Sequence, residues 1–251
     1  MDLELSGKRA LVTGGSRGIG KAVAMELARE GADVAIAARD RARIDATVAE
    51  ITSASGRKIF GTTLDAADGD SIREMVRASA EALGGIDILV NAAARPGGQQ
   101  PAPRWDGVTE EALFEELQVK VLGYLRVAQA AAPFMIEQGW GRIINISGLA
   151  ARQTGTVIGS IRNVAVSALS KNLADELAPH GINVVTVHPG TTRTEATTPE
   201  AAARPATNLV GRLIDATEVA YVVTFLASPK SVAIDGDTIA AGGGVPRAIY
   251  Y

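Results

Sequence analysis

Val12-Thr13-Gly14-Gly15-Ser16-Arg17-Gly18-Ile19-Gly20 joins a short β-branched run, Arg9–Thr13, to a segment in which Val23, Leu27 and Ala28 recur at helical spacing. Glycines in such a strand–turn–helix junction let the backbone approach a pyrophosphate and let the helix pack on the sheet. The helix start presents free N–H groups and its positive dipole end to the anion. Gly14, Ser16, Arg17, Gly18, Ile19 and Gly20 are therefore the expected contacts to the phosphates of a dinucleotide. Gly15–Lys21 also matches the opening of a phosphate-binding NTPase loop. Ala22 stands where that loop needs a hydroxyl for magnesium, which rejects the NTPase reading.

Outward from this turn, strand-like runs at Arg9–Thr13, Asp33–Ala37, Lys58–Thr62, Ile86–Asn91, Gly141–Ser147, Ile182–His188 and Thr238–Ala240 alternate with helix-length segments. That alternation predicts right-handed crossovers and a parallel sheet covered on both faces. The fold class is α/β, a doubly wound Rossmann-type domain of about seven strands. With 251 residues, 47% hydrophobic, the chain is read as one domain spanning 1–251. Two loops follow strand ends on the ligand side. Arg95–Trp105 is rich in Gly, Pro and Gln, and Thr191–Asn208 reads either as a lid or as a surface loop.

A net charge of −3, without a Lys/Arg run, speaks against nucleic-acid and membrane-surface partners and for a small-molecule substrate. The chain has no cysteine and two histidines, both after residue 179, so neither thiol chemistry nor a metal site is expected. The first residues carry acids where a signal peptide has bases, and no apolar run approaches the roughly 18 residues of a membrane span. A cytoplasmic protein is expected.

At the end of the second strand run, Ala37-Ala38-Arg39 supplies a guanidinium where a carboxylate would hold a ribose 2′-hydroxyl. A 2′-phosphate suits that charge, and Arg17 adds a second cation, so NADP(H) is expected over NAD(H). The other reading leaves both arginines as solvated surface groups.

Taken together, these stretches resemble the short-chain dehydrogenase/reductase family over nearly the whole chain. Thr13–Gly20 is similar to its cofactor turn, and Asp65 to the acid that meets adenine. Ile88–Ala94 is similar to its Asn-Asn-Ala-Gly segment, with only Asn91 and Ala93 retained. Pro189-Gly190, Thr192 and Thr194 fall on its nicotinamide-side loop. The resemblance implies a dinucleotide cofactor and a homodimer or homotetramer, paired through helices near 109–138 and 155–179.

The family's catalytic groups do not carry over. There, a Tyr protonates the carbonyl oxygen, a Lys four residues later lowers that Tyr's pKa, a Ser polarises the carbonyl, and a helix Asn orders water. Counting back from Pro189, Gly159 stands at the Tyr position and Asn163 at the Lys position. An alternative register would use Ser167 and Lys171, at the cost of an eight-residue deletion. Lys120 falls on the helix Asn, and the family's Ser aligns with either Ser147 or Gly148. Lys120 and Tyr124, spaced i, i+4, share a helix face. With Ser147 they are the candidate catalytic residues; the opposing reading is a surface lysine beside a packing tyrosine. Arg152, Arg162 and His188 are further candidates, His188 equally readable as a buried, satisfied imidazole. These residues leave three functions open. The first is an NADP(H) oxidoreductase acting on a small carbonyl, alcohol or activated alkene through a non-standard centre. The others are a catalytically silent cofactor-binding protein and a non-redox lyase or isomerase.

Overall fold

The computed structural model describes residues 1–94, 103–247 and 249. Strands β1 (Arg9–Thr13), β2 (Asp33–Ala38), β3 (Ile59–Thr63), β4 (Ile88–Asn91), β5 (Gly141–Ile146) and β6 (Ile182–Pro189) alternate with helices. These are α1 (Gly18–Arg29), α2 (Arg41–Ser55), α3 (Gly69–Leu83), α4 (Glu110–Leu117), α5 (Gly123–Gln138) and α6 (Val157–Leu177). Beyond β6 come β7 (Thr192–Arg193), α7 (Pro199–Ala202), β8 (Ile214–Asp215), α8 (Ala216–Ala227) and β9 (Thr238–Ala241).

The main sheet runs β3-β2-β1-β4-β5-β6-β9 with every pairing parallel. Side chains alternate across it, as the period of two requires. From β1, Ala10 and Val12 join a core layer with Val23 and Leu27 of α1 and Val219 and Val223 of α8. Leu11 faces the other way, into a layer with Met75 of α3 and Val127 and Met135 of α5. Both faces of the sheet are therefore dry, which is why its strands read as near-continuous apolar runs. The chain winds outward from β1 in both directions. The crevice at the carboxyl ends of β1 and β4 is thus the topological switch point, where such sheets hold ligands.

The seven strand runs expected from sequence all form. The run through Ser147 stops at Ile146, leaving Ser147 just beyond the edge of the sheet. Two features were not anticipated. The helix expected across 109–138 is interrupted by a π-turn at Gln118–Leu122, and β7 pairs with β8 in a separate small sheet. The Thr191–Asn208 segment contains β7 and α7. Of the Arg95–Trp105 loop, residues 95–102 lie outside the described residues, as do Tyr250 and Tyr251.

Candidate active site

A cavity of about 1210 Å³ opens at the carboxyl ends of β1, β4, β5 and β6. Its floor is the glycine turn. Gly14 has φ +71°, and a Cβ there would stand 2.7 Å from the Ala92 carbonyl oxygen; at Gly20 a Cβ would run into the Gly14 carbonyl. Only glycine permits this backbone density at the start of α1. The Thr13 hydroxyl ties the floor together, accepting from the N–H groups of Ala92 at 3.2 Å and Ala93 at 3.3 Å. Gly14, Ser16, Arg17, Gly18, Ile19 and Gly20 all line the cavity, as do Arg39, Asp65, Pro189, Gly190, Thr192 and Thr194. Asn91 does not. It is fully buried beneath the floor, where its amide donates to Asn145 Oδ1 at 2.9 Å. It is the last residue of β4, and its side chain is aimed at β5.

One end of the cavity is rich in guanidinium. Arg17 and Arg39 are exposed, and neither side chain is in an ion pair among the described residues. Arg43 joins them from the first turn of α2, held 3.7 Å from Asp40 by an exposed and therefore weak pair. The sequence reading missed Arg43, although its spacing four residues after Arg39 was a usable signal. It also missed Glu195. That carboxylate accepts from the Gly18 N–H at 2.8 Å, so an anionic oxygen already meets the start of α1. The three arginines and the amide that takes a carboxylate oxygen fit a phosphorylated dinucleotide.

The other end is built from β5, the π-turn and α6. Lys120 is buried, 4% exposed, yet lines the cavity. Its Nζ donates to Asn163 Oδ1 at 2.8 Å and to the Ser147 carbonyl at 3.0 Å. Burial, reinforced by the Arg162 charge and opposed by Glu116, pulls its pKa down to about 7. Ser147 Oγ donates to the Asn163 carbonyl at 2.9 Å. Arg162, one position before Asn163, also lines the cavity and forms a buried ion pair with Glu116 of α4. Gly159, Arg162 and Asn163 share one face of α6, but only Arg162 and Asn163 line the cavity; a Cβ at Gly159 would meet the Thr156 hydroxyl at 2.6 Å.

The remaining candidates are placed elsewhere. Tyr124 shares the Lys120 face, but its buried hydroxyl donates to the Ile146 carbonyl at 3.1 Å and does not line the cavity. Burial holds that phenol well above its ordinary pKa. His188 Nδ1 accepts from the Gly148 N–H at 3.2 Å, which places the ring proton on Nε2, facing Ser167 Oγ at 3.3 Å. Desolvation, with the charges of Arg152 and Lys120, lowers its pKa to about 4, so this is a neutral, satisfied imidazole. Arg152 donates to the Thr238 carbonyl at 2.6 Å. Lys171 points to solvent in an exposed pair with Asp175, which removes the alternative Ser167/Lys171 register from the site. Among the described residues no tyrosine lines the cavity, and no group of three metal-ligating side chains occurs.

A doubly wound parallel sheet with a glycine-floored crevice at its switch point defines an α/β protein of the Rossmann type. The short chain dehydrogenase family profile matches residues 8–205, and the chain belongs to that family. It is 34% identical to the 3-oxoacyl-[acyl-carrier-protein] reductase of Aquifex aeolicus, over 98% of this chain and 100% of that one. An uncharacterized oxidoreductase of Methylorubrum extorquens is 37% identical over 96% of this chain and 99% of its own. Among solved structures, a short chain dehydrogenase from Burkholderia cenocepacia in complex with NADP superposes with TM-score 0.85 at 36% identity, covering 96% and 98% of the two chains.

Proposed function

We propose that this protein is an NADP(H)-dependent oxidoreductase that acts on a small carbonyl, alcohol or activated alkene, with Gly159 and Asn163 at the positions where its family places Tyr and Lys. The observation that carries this reading is the polarity of one cavity: the exposed guanidinium groups of Arg17, Arg39 and Arg43 and the glycine turn at one end, Lys120 and Ser147 at the other. When bound, the dinucleotide supplies or accepts a hydride. Gly14, Ser16, Gly18, Ile19 and Gly20 would carry its pyrophosphate, and Arg17, Arg39 and Arg43 the 2′-phosphate. Asp65 would face its adenine, and Pro189, Gly190, Thr192 and Thr194 its nicotinamide. Lys120 would supply a cation to a substrate oxygen that gains negative charge. The Burkholderia relative's complex with NADP supports the choice of coenzyme. Exposed Val157, Ile161 and Val164 on α6, with Phe114 on α4, support assembly into a homodimer or homotetramer.

A charged hydrogen bond contributes about 1.5–3 kcal/mol, so Arg39→Ala is expected to weaken NADPH binding roughly 10- to 100-fold and to leave NADH within about threefold. Fluorescence titration of both coenzymes measures this; equal losses for the two would remove the 2′-phosphate assignment. Glu195 competes for the Gly18 amide, and such helix-terminus charges contribute about 0.3–1 kcal/mol. Glu195→Ala is therefore expected to tighten NADPH binding roughly two- to fivefold by calorimetry. Weaker binding in that variant would mean that Glu195 helps to hold the ligand.

One observation favours a catalytically silent cofactor-binding protein instead: the Ser147 hydroxyl is directed at the Asn163 carbonyl, and no tyrosine among the described residues reaches the cavity. Loss of NADPH absorbance with a panel of ketones, quinones and enones separates the two readings. Tight binding without turnover on any acceptor would favour silence or non-redox chemistry.

A further inference from the structure

The family resemblance assigns an Asn to position 120 and a Lys to position 163, and this chain carries Lys120 and Asn163. The two side chains are in contact, Nζ to Oδ1 at 2.8 Å. We infer that the pair has been exchanged between elements: the ammonium reaches the reacting oxygen from the turn between α4 and α5 instead of from α6, with Lys120 as proton donor and Asn163 as its positioning residue. This rests on the oxidoreductase reading above.

The geometry supplies each requirement. The π-turn at Gln118–Leu122 widens the helix at the one point where a side chain must leave the α3-facing packing and reach the end of β5. An ammonium has three N–H groups. Two are used on Asn163 Oδ1 and the Ser147 carbonyl, and no further acceptor is found among the described residues, which leaves the third for the cavity that Lys120 lines. The acceptors are neutral oxygens that orient Nζ without neutralising it. Gly159 leaves no phenol between Nζ and a substrate.

The reduced dinucleotide, when bound, would supply the hydride for the new C–H bond at the carbonyl carbon and would itself be oxidised. The carbonyl oxygen gains an O–H bond as one Nζ–H bond breaks, and the neutral amine then regains a proton from solvent. The charged and titratable groups facing Lys120 are Glu116 on α4, Tyr124 on α5, Arg162 on α6 and His188 on β6. His188 and Tyr124 are neutral near pH 7, and the effects of Glu116 and Arg162 on Lys120 oppose one another. A donor that titrates close to neutrality is well matched to acid catalysis there.

The test uses the full chain with and without coenzyme. Without coenzyme, in protein labelled with 13C at lysine Cε, one of six lysines should titrate near pH 7, and that signal should vanish in Lys120→Asn. With NADPH and an accepted carbonyl, the reduction rate should fall as pH rises through about 7. Lys120→Asn should lower kcat by about 10²- to 10⁴-fold while NADPH binding stays within a few fold. Lys120→Arg should lose the limb near pH 7, because a guanidinium stays charged. Asn163→Asp should move that limb to higher pH, because a carboxylate beside Nζ favours the ammonium. Lys120→Asn/Asn163→Lys, with the ammonium returned to α6, should regain at least tenfold over Lys120→Asn. A lysine titration midpoint above 9 in the unliganded protein, or a folded Lys120→Asn variant whose kcat stays within threefold, would overturn the exchange and leave the oxidoreductase reading standing. Failure of the parent protein to bind NADPH would overturn both.

Discussion

Glu116→Leu is expected to lower the thermal midpoint by roughly 6–20 °C. The Glu116 and Arg162 side chains are 7% and 11% exposed and paired with each other, and Lys120 lies close enough to feel both charges. Removing one partner of a buried pair costs about 3–5 kcal/mol, because the other charge stays buried and loses its counter-ion. In a chain of this size each kcal/mol moves the midpoint by about 2–4 °C. Here the cost falls on two cations at once, since Glu116 is the carboxylate that opposes Arg162 in raising the Lys120 pKa. Glu116→Leu/Arg162→Met removes both members of the pair and should recover most of the loss, as apolar replacements of whole ion pairs often do. Calorimetry of the two variants decides it. A single variant within 2 °C of the parent would mean that water or another group already solvates Arg162.

Gly14→Val should do the greatest damage to the cofactor end. The residue sits at φ +71°, where a β-branched side chain costs about 1–2 kcal/mol, and its Cβ would stand 2.7 Å from the Ala92 carbonyl. That oxygen belongs to backbone tied by the Ala92 N–H to the Thr13 carbonyl, so the clash has no flexible side chain to absorb it. The turn and the start of α1 must shift, and with them the amides offered to a pyrophosphate. The expected result is at least a tenfold loss of NADPH affinity together with a lower melting point. Gly56→Ala is the matched control: its φ is +65°, but nothing lies within 4 Å of a Cβ there. It should cost about 1 kcal/mol in stability, from the left-handed backbone alone, and leave affinity unchanged. Equal affinity losses in both variants would show that general destabilisation, not the turn, is being measured.

The parts of this protein that were legible in its sequence are those encoded over a few neighbouring residues. Runs such as Ala10-Leu11-Val12 and Ile143-Ile144 announce two-faced burial by themselves, and each became a central strand. The glycine turn could be read because positive φ and close approach both demand glycine within a window of nine residues. Arg39 was legible because it immediately follows a strand, and Arg43 was missed although one helical turn from it lay in plain sequence. Asn91 shows the limit of reading by position: it occupies a cofactor-side segment, yet its register in β4 turns the amide toward Asn145. Tyr124 was rightly set on the Lys120 face, but its hydroxyl ends at the Ile146 carbonyl, below the cavity.

Sequence alone determined the α/β alternation, the parallel sheet and the glycine turn that opens α1, because periodicity and turn chemistry are local properties of the chain. Tertiary structure alone decided that Lys120 meets Asn163 across 43 residues and that Glu195 reaches Gly18 across 177. Those contacts depend on strand order, on a π-turn that breaks the helical period, and on where a crossover returns the chain. No short stretch of residues carries that information, since it arises only when the layers pack.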